Sequence, residues 1–202
     1  LGVPLESLAH VLPNDRAVVT QVPYPASNSE IASATRSTAQ AAGWIWDIGL
    51  QSRRGVGYVH SSAFISEDEA IDTLRGYVLA SQPQLSAQDF KVRTVPFTPG
   101  KRRVFWAKNC VAVGLSAGFI EPLEASAIAL IEQAATKISE ALPLDNDAML
   151  LEATAFNQRM HEQWDQISEF LQLHYALSQR SDSEYWRQVR SEQALLPSLK
   201  AK

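Results

Sequence analysis

The spacing of hydrophobic residues changes along the chain, and this change most constrains the fold. Between residues 44 and 51, the side chains fall into two alternating sets, which is typical of a strand with one face rich in aromatic residues: Trp44, Trp46, Ile48 and Leu50 against Ile45, Asp47, Gly49 and Gln51. From Ile128 onward the spacing becomes three or four residues, which is typical of a helix that buries one side. The pattern predicts an α+β fold, with a mixed, mainly antiparallel sheet followed by a helical C-terminal part.

Two hairpins are predicted in the first half. A β-branched strand over residues 17–22 ends at Pro23, and the Trp44 strand returns through a turn at 52–55 into a strand over 56–61. The second hairpin would join segments 90–97 and 102–106 through Thr98-Pro99-Gly100, and residues 111–113 read as a short apolar strand.

Helices are predicted at four places. Ser66 and Glu69 form a capping box that begins a helix from about Glu67 to Leu79, with Ile71, Leu74 and Val78 buried. A second helix would bury Ile128, Ile131, Ala135, Ile138 and Leu142 and end at Pro143. The pattern Met149, Ala153, Phe156, Met160, Trp164, Ile167, Leu171 and His174 predicts one long helix or two with a bend, and a short helix spans 183 to about 193.

The 202 residues, 46% of them hydrophobic, suffice for a packed core. We expect a sheet-rich region over 1–115 and a helical region over 116–202. Because the chain begins at Leu1 and soon enters a loop-like segment, we expect it to be a fragment of a longer protein.

Composition excludes several classes of protein. The net charge of -4 argues against nucleic acid, and no apolar run approaches the roughly 18 residues of a membrane span. The single cysteine, Cys110, lies in an apolar stretch and fits a reducing cytoplasm. The four histidines, His10, His60, His161 and His174, are scattered, so we expect no metal site.

Residues 114–118 read GxSxG, which makes a serine hydrolase with Ser116 as nucleophile one alternative. Against it, Gly118 and Pro122 interrupt the helix that should begin at that serine. A nucleotide-binding motif would need a third glycine and a following helix, which Gly55-Val56-Gly57 lacks. We therefore interpret these glycines as part of a hairpin turn.

An anion site is predicted where the second helix begins. The backbone amides of Ser126 and Ala127 should lie at its free donor end, where the helix dipole is positive. Glu124 beside them would be a carboxylate in a partly apolar pocket, suited to proton transfer. The alternative is that Glu121 and Glu124 only cap the helix.

Two blocks resemble the flavin-dependent tryptophan halogenase family. Trp44-Ile45-Trp46-Asp47-Ile48 is similar to its WxWxIP signature, and residues 109–124, Asn109 to Glu124, are similar to its NCVAxGLSxGFxEPLES block. Shorter segments agree in the same order, including Leu173-His174-Tyr175 and Tyr185-Trp186. The resemblance covers nearly the whole chain and implies the middle to C-terminal portion of an FAD-binding, monooxygenase-like halogenase fold.

The resemblance also implies a chemistry. In that family reduced FAD, supplied by a separate flavin reductase, reacts with oxygen and a halide to halogenate a small aromatic substrate such as the indole of tryptophan. By position, Glu124 matches the catalytic acid, the amides of Ser126 and Ala127 match the halide site, and Leu115 and Ile128 match flavin contacts. Trp44 and Trp46, which could also be simple core residues, match the barrier between the flavin and substrate sites.

The chain departs from the family pattern at several positions. Gly49 replaces the signature proline, and Ala125, Ser126 and Ala127 stand where Ser, Thr and Gly are common. The glycine-rich FAD motif and the catalytic lysine are expected upstream of Leu1. We therefore expect the isolated chain to be inactive and to self-associate as a homo-oligomer. A non-catalytic binding or oligomerisation module that keeps the fold is the second hypothesis.

Overall fold

The computed structural model describes residues 2–142 and 145–200. In chain order the strands are β1 Leu5–Ser7, β2 Arg16–Pro23, β3 Arg36–Gln40, β4 Gly43–Gly49, β5 Arg53–His60, β6 Val92–Pro96, β7 Gly100–Arg102, β8 Trp106–Ala107, β9 Cys110–Val111 and β10 Gly118–Phe119. The helices are α1 Glu67–Ser81, α2 Ser126–Glu140, α3 Asn146–Leu177, α4 Glu184–Val189 and α5 Pro197–Lys200. The predicted α+β class is confirmed.

The chain divides into two compact units. Asn14–Phe97 and Gln179–Gln188 form one, here called the sheet unit, and Leu1–Pro13, Thr98–Ser178 and Val189–Lys202 form the other, the helical unit. The regions expected from the sequence, 1–115 and 116–202, were separated by their content of strands and helices, whereas these units are separated by their internal contacts. The division at residue 115 therefore stays a prediction.

The sheet unit is built on a five-stranded antiparallel sheet. Its strands lie in the order β3-β4-β5-β2-β6, and α1 packs against one face. The core between them holds Val18, Val22, Ile45, Val56, Tyr58, Ala70, Leu74, Val78 and Phe90. Alternation along β4 puts Ile45 on this face and Trp44 and Trp46 on the other, as the period of two predicts.

The helix α1 begins as predicted. The Ser66 side chain accepts a hydrogen bond from the Glu69 amide, and the Glu69 carboxylate accepts one from the Ser66 amide. Ala70, Leu74 and Val78 are its buried residues, with Ile71 packed at the edge of the core. The first hairpin is also confirmed, although β5 already begins at Arg53, inside the segment predicted as the turn.

The helical unit joins small sheets to long helices. Strand β7 pairs with β1 and β10, and β8 pairs with β9. The side chain of Asn157 in α3 fastens the β8 segment, because its Oδ1 accepts from the amides of Phe105 and Trp106, each at 2.8 Å. Its Nδ2 donates to the Trp106 carbonyl at 2.9 Å. The long pattern from Met149 forms one helix, α3, of 32 residues.

Several predicted elements differ. The second hairpin is wrong, because β6 pairs with β2 while β7 pairs with β1 and β10. The strand predicted at 111–113 is only Cys110–Val111, and the Cys110 side chain is exposed. The last predicted helix stops at Val189. No helix among the described residues has the length and apolar character needed to cross a bilayer.

The predicted buried face of α2 is also wrong. Its buried residues are Leu130 and Ala134, whereas Ile128 is 68% exposed and Leu142 is 70% exposed. Hydrophobic spacing identifies an amphipathic helix, but it does not say which other element covers each position. The helix end predicted at Pro143 lies outside the described residues.

Candidate functional site

The N-terminus of α2 leaves backbone donors without a side-chain cap. Ala125 occupies the N-cap position in the left-handed region, with φ 51° and ψ 28°, and offers no side-chain hydrogen bond. Its own amide donates to the Pro122 carbonyl at 3.1 Å. The amides of Ser126 and Ala127, in the first turn of α2, have no acceptor within the described part of the chain. Together with the positive end of the helix dipole, they can bind a small anion.

Glu124 lies immediately before this turn and contacts α3. Its Oε1 is 2.9 Å from Nε2 of His174, and the Glu124 side chain is 41% exposed. The partly apolar pocket expected for this carboxylate is therefore not found, since solvent and an imidazole surround it. Its position beside the free amides agrees with the prediction.

Glu121 makes a second contact with α3. This residue is 2% exposed, and the hydroxyl of Tyr175 donates a hydrogen bond to its Oε1. The N-cap residue Ala125 makes no side-chain hydrogen bond, and the Glu124 carboxylate contacts His174 of α3. His174 and Tyr175 are thus site residues that sequence reasoning missed, although the family segment Leu173-His174-Tyr175 was a signal.

Leu115 and Ile128, the predicted flavin contacts, are apolar side chains on the surface. Leu115 is 81% exposed and Ile128 is 68% exposed. Leu115 and Ala127 border an apolar cavity of about 100 Å³, which Ile131 and Trp164 also line. An exposed apolar rim beside polar backbone donors suits a planar ligand with a polar edge.

Ser116 does not sit on a nucleophile elbow. Its hydroxyl donates to the carbonyl of Val113 at 2.8 Å and accepts from the amide of the same residue at 3.0 Å. The chain then enters the strand β10, and α2 begins only at Ser126. A nucleophile elbow requires a helix directly after the serine. The geometry therefore gives no support to the hydrolase alternative.

Trp44 and Trp46 belong to the sheet unit, whereas Glu124, Ser126 and Ala127 belong to the helical unit. The ring centroids of Trp44 and Trp46 are 6.2 Å apart, and the planes of the two rings are inclined at 58°. Trp44 is 4% exposed, and its indole nitrogen has no hydrogen-bond partner among the described residues. Trp46 is half-buried. The two indole rings therefore lie side by side on one face of the sheet.

Metal ligands are not clustered in the described residues. Across 2–142 and 145–200, no three His, Cys, Asp or Glu side chains are placed together to hold a metal ion. His60 is fully buried on β5, and His161 contacts the Arg103 carbonyl through Nε2 at 3.0 Å. Only His174 among the four histidines lies against the candidate site.

Comparison with known proteins agrees with the resemblance. The family model for tryptophan halogenase matches residues 1–202. Tryptophan 6-halogenase SttH of Streptomyces toxytricini is 38% identical over 191 residues, which are 95% of this chain and 35% of the relative. RebH, a tryptophan 7-halogenase of Lentzea aerocolonigenes, is 32% identical over 184 residues, which are 91% of this chain and 34% of the relative.

Solved structures show the same fold. A tryptophan halogenase from Shewanella frigidimarina NCIMB 400 superposes with a TM-score of 0.93 at 46% identity, covering 98% of this chain and 38% of that one. BrvH, a flavin-dependent halogenase from Brevundimonas sp. BAL3, has a TM-score of 0.85 at 38% identity, covering 100% and 39%. The chain thus spans less than two fifths of the length of these relatives, and it belongs to the tryptophan halogenase family.

Proposed function

We propose that this chain supplies the halide-binding side of a flavin-dependent halogenase that acts on tryptophan or a related indole. Its membership of the family supports the reaction, and the relatives named as tryptophan halogenases support the substrate class. The observation that carries the proposal is the uncapped N-terminus of α2 directly after Glu124.

The amides of Ser126 and Ala127 are proposed to hold the halide. A halide ion is small and spherical, so it needs donors from one direction and no particular side chain. This explains how the site tolerates Ser126 and Ala127 where Thr and Gly are common in the family. The first amides of α2 have no intrahelical acceptor, and the N-cap residue Ala125 supplies no side-chain acceptor in its place.

Glu124 is the proposed catalytic acid. Glu124 lies within the turn Pro122–Ala125 and precedes Ser126, the first halide donor, by two residues in the chain. From this position it can orient the halogenating species or donate a proton to it. When bound, reduced FAD would react with oxygen and so supply the oxidising power that converts the halide into an electrophilic halogen.

The remaining proposed roles belong to apolar and aromatic side chains. Leu115 and Ile128 are proposed to contact the flavin through their exposed surfaces. Trp44 and Trp46 are proposed to form a wall between the flavin and the substrate, which keeps the oxidising chemistry from the indole itself. A tight wall is consistent with the close packing of the two rings.

The proposed partners are a flavin reductase, which would deliver reduced FAD, and a second copy of the chain. Self-association is proposed because apolar side chains such as Leu115, Leu150 and Leu151 are more than 70% exposed. The proposed location is the cytoplasm, which suits a chain with one unpaired cysteine, Cys110.

A chloride titration of the 202-residue chain tests the halide site. Backbone amide signals of Ser126 and Ala127 should shift saturably with chloride and with bromide. Ser126→Ala keeps the donor and should bind the halide within about twofold of wild type. Ser126→Pro removes one backbone donor, and it should weaken binding. Equal binding by both variants would contradict the proposal.

A further inference from the structure

His174 is held by oxygen atoms at both ring nitrogens. Its Nδ1 lies 2.8 Å from the carbonyl oxygen of Phe170, one turn earlier in α3. Its Nε2 lies 2.9 Å from Oε1 of Glu124. The ring also meets that of Phe170 edge to face, with centroids 4.8 Å apart. These contacts fix the orientation of the imidazole.

The two hydrogen bonds determine where the protons lie. A carbonyl oxygen only accepts, so Nδ1 must carry a hydrogen. An ionised carboxylate also only accepts, and an unprotonated ring nitrogen likewise only accepts. The contact between Nε2 and Oε1 therefore requires one hydrogen between them. Either the imidazolium donates to the carboxylate, or the neutral acid donates to the ring.

We infer that His174 is a positioning residue that holds Glu124 through one shared proton and leaves Oε2 as the oxygen available to the reaction. This inference rests on the proposed function, which makes Glu124 the acid. Oε2 of Glu124 has no partner within the residues that the structure describes, whereas Oε1 is engaged by His174. When the shared proton passes to an acceptor, Glu124 is left as a carboxylate with Oε2 open to the reaction, and His174 is left as a neutral ring that keeps its Nδ1 hydrogen.

A neighbouring hydrogen bond holds the backbone near Glu124 in place without the help of His174. The hydroxyl of Tyr175 donates to Glu121, and both residues are 2% exposed. This buried contact ties the segment before Glu124 to α3 independently of His174. Loss of the His174 ring should therefore free the Glu124 carboxyl group without displacing the chain.

An ordinary surface ion pair is the outcome that would contradict the inference. The side chains of His174 and Glu124 are 35% and 41% exposed, a range in which ion pairs are often weak and interchangeable. A ring in such a pair would not have a fixed tautomer, and its protonation would not depend on one carboxylate.

Nitrogen-15 NMR of the histidine-labelled chain distinguishes the two cases. The His174 signals are assigned by their loss in His174→Gln. In the wild-type chain we expect a protonated Nδ1 and an Nε2 that shares a proton. In Glu124→Ala and in Glu124→Gln the Nε2 signal should move to the position of an unprotonated nitrogen, while Nδ1 should stay protonated in both variants because the Phe170 carbonyl still accepts from it.

The matched control is Glu132→Ala, which removes an exposed acid from α2 and should leave the His174 signals unchanged. An unprotonated Nδ1 in the wild type, or the same signals in Glu124→Ala as in the wild type, would overturn the inference. Chloride shifts at Ser126 and Ala127 are recorded in the same samples. If the chloride shifts are observed but the His174 ring nitrogens are not protonated as expected, the inference alone is wrong. If the His174 nitrogens are protonated as expected but the chloride shifts are absent, the proposed halide site is wrong.

Discussion

The indole ring of Trp46 occupies the space above Gly57 on the neighbouring strand. The two residues are register partners in β4 and β5. A Cβ atom at Gly57 would lie 2.1 Å from Cζ2 of Trp46, closer than any packed contact allows. The absence of a side chain at Gly57 therefore makes room for the ring of Trp46, and the proposed wall of Trp44 and Trp46 depends on that space.

Gly57→Ala should destabilise the sheet unit, because the ring of Trp46 must move to admit the methyl group. We expect a loss of about 1–3 kcal/mol in the free energy of unfolding, measured with urea. Gly76→Ala is the control, since Gly76 lies inside α1 with no atom within 4 Å of the added group. It should stabilise by about 0.5–1 kcal/mol. Equal effects of the two substitutions would refute the packing argument.

Asp47→Ala should be more harmful than a surface substitution of the same kind. The Asp47 side chain is 9% exposed and 2.5 Å from the guanidinium of Arg54, and it also accepts from the Tyr77 hydroxyl. Its removal leaves the Arg54 charge buried, so we expect a loss of about 3–5 kcal/mol by urea unfolding. Asp72→Ala breaks only an exposed pair and should cost less than about 1 kcal/mol. Similar losses would contradict this account of the pair.

His60 should make stability depend on pH. It is fully buried, and burial lowers the pKa of its imidazole below the ordinary value of about 6.5. As the pH falls, His60 is therefore protonated in the unfolded chain before it is protonated in the folded chain. The contribution of His60 to the free energy of unfolding is complete above about pH 6.5 and is lost as the pH falls towards the folded pKa.

Urea unfolding of the wild type between pH 7.5 and 5 should thus show a falling free energy, with a slope of at most about 1.4 kcal/mol per pH unit from this group. His60→Asn should flatten the slope, because the side chain no longer titrates. His10→Asn, a substitution at an exposed position, serves as the control and should leave the slope as in the wild type. A slope unchanged by His60→Asn would show that the burial of His60 does not produce it.

The 202-residue chain should not retain FAD through gel filtration. The sequence contains no GxGxxG turn, the element that binds a dinucleotide pyrophosphate at a helix N-terminus. Leu115 and Ile128 offer only apolar contact, which is too little to hold the cofactor through dilution. Absorbance at the flavin wavelengths in the protein peak reports the result. Flavin co-eluting in a one-to-one ratio would oppose this prediction.

Local patterns explain which parts of the structure could be read from the sequence. The capping box of α1 depends on Ser66 and Glu69, three residues apart, and it forms as predicted. The alternation of Trp44, Ile45 and Trp46 needs only the period of a strand. The helical spacing that begins at Ile128 likewise predicts a helix there, and α2 starts two residues earlier, at Ser126.

The missed features depend on contacts that are distant in the chain. The hairpin expected across Pro99 fails because β7 pairs with β1, about 95 residues earlier, rather than with β6. Glu124 and His174 meet from positions 50 residues apart, and no spacing rule links them. The exposure of Ile128 depends on which element lies over α2, and helical periodicity carries no information about that partner.

Crystals of the chain soaked in bromide test the central claim most directly, because the anomalous signal of bromine locates the ion without reference to any assumed site. The account predicts a bromide peak at the N-terminus of α2, within hydrogen-bonding distance of the amides of Ser126 and Ala127 and next to Glu124. The peak should weaken in crystals of Ser126→Pro and persist in those of Ser126→Ala. Bromide peaks elsewhere on the molecule, with none at these amides although the site is open to solvent in the crystal, would contradict the claim.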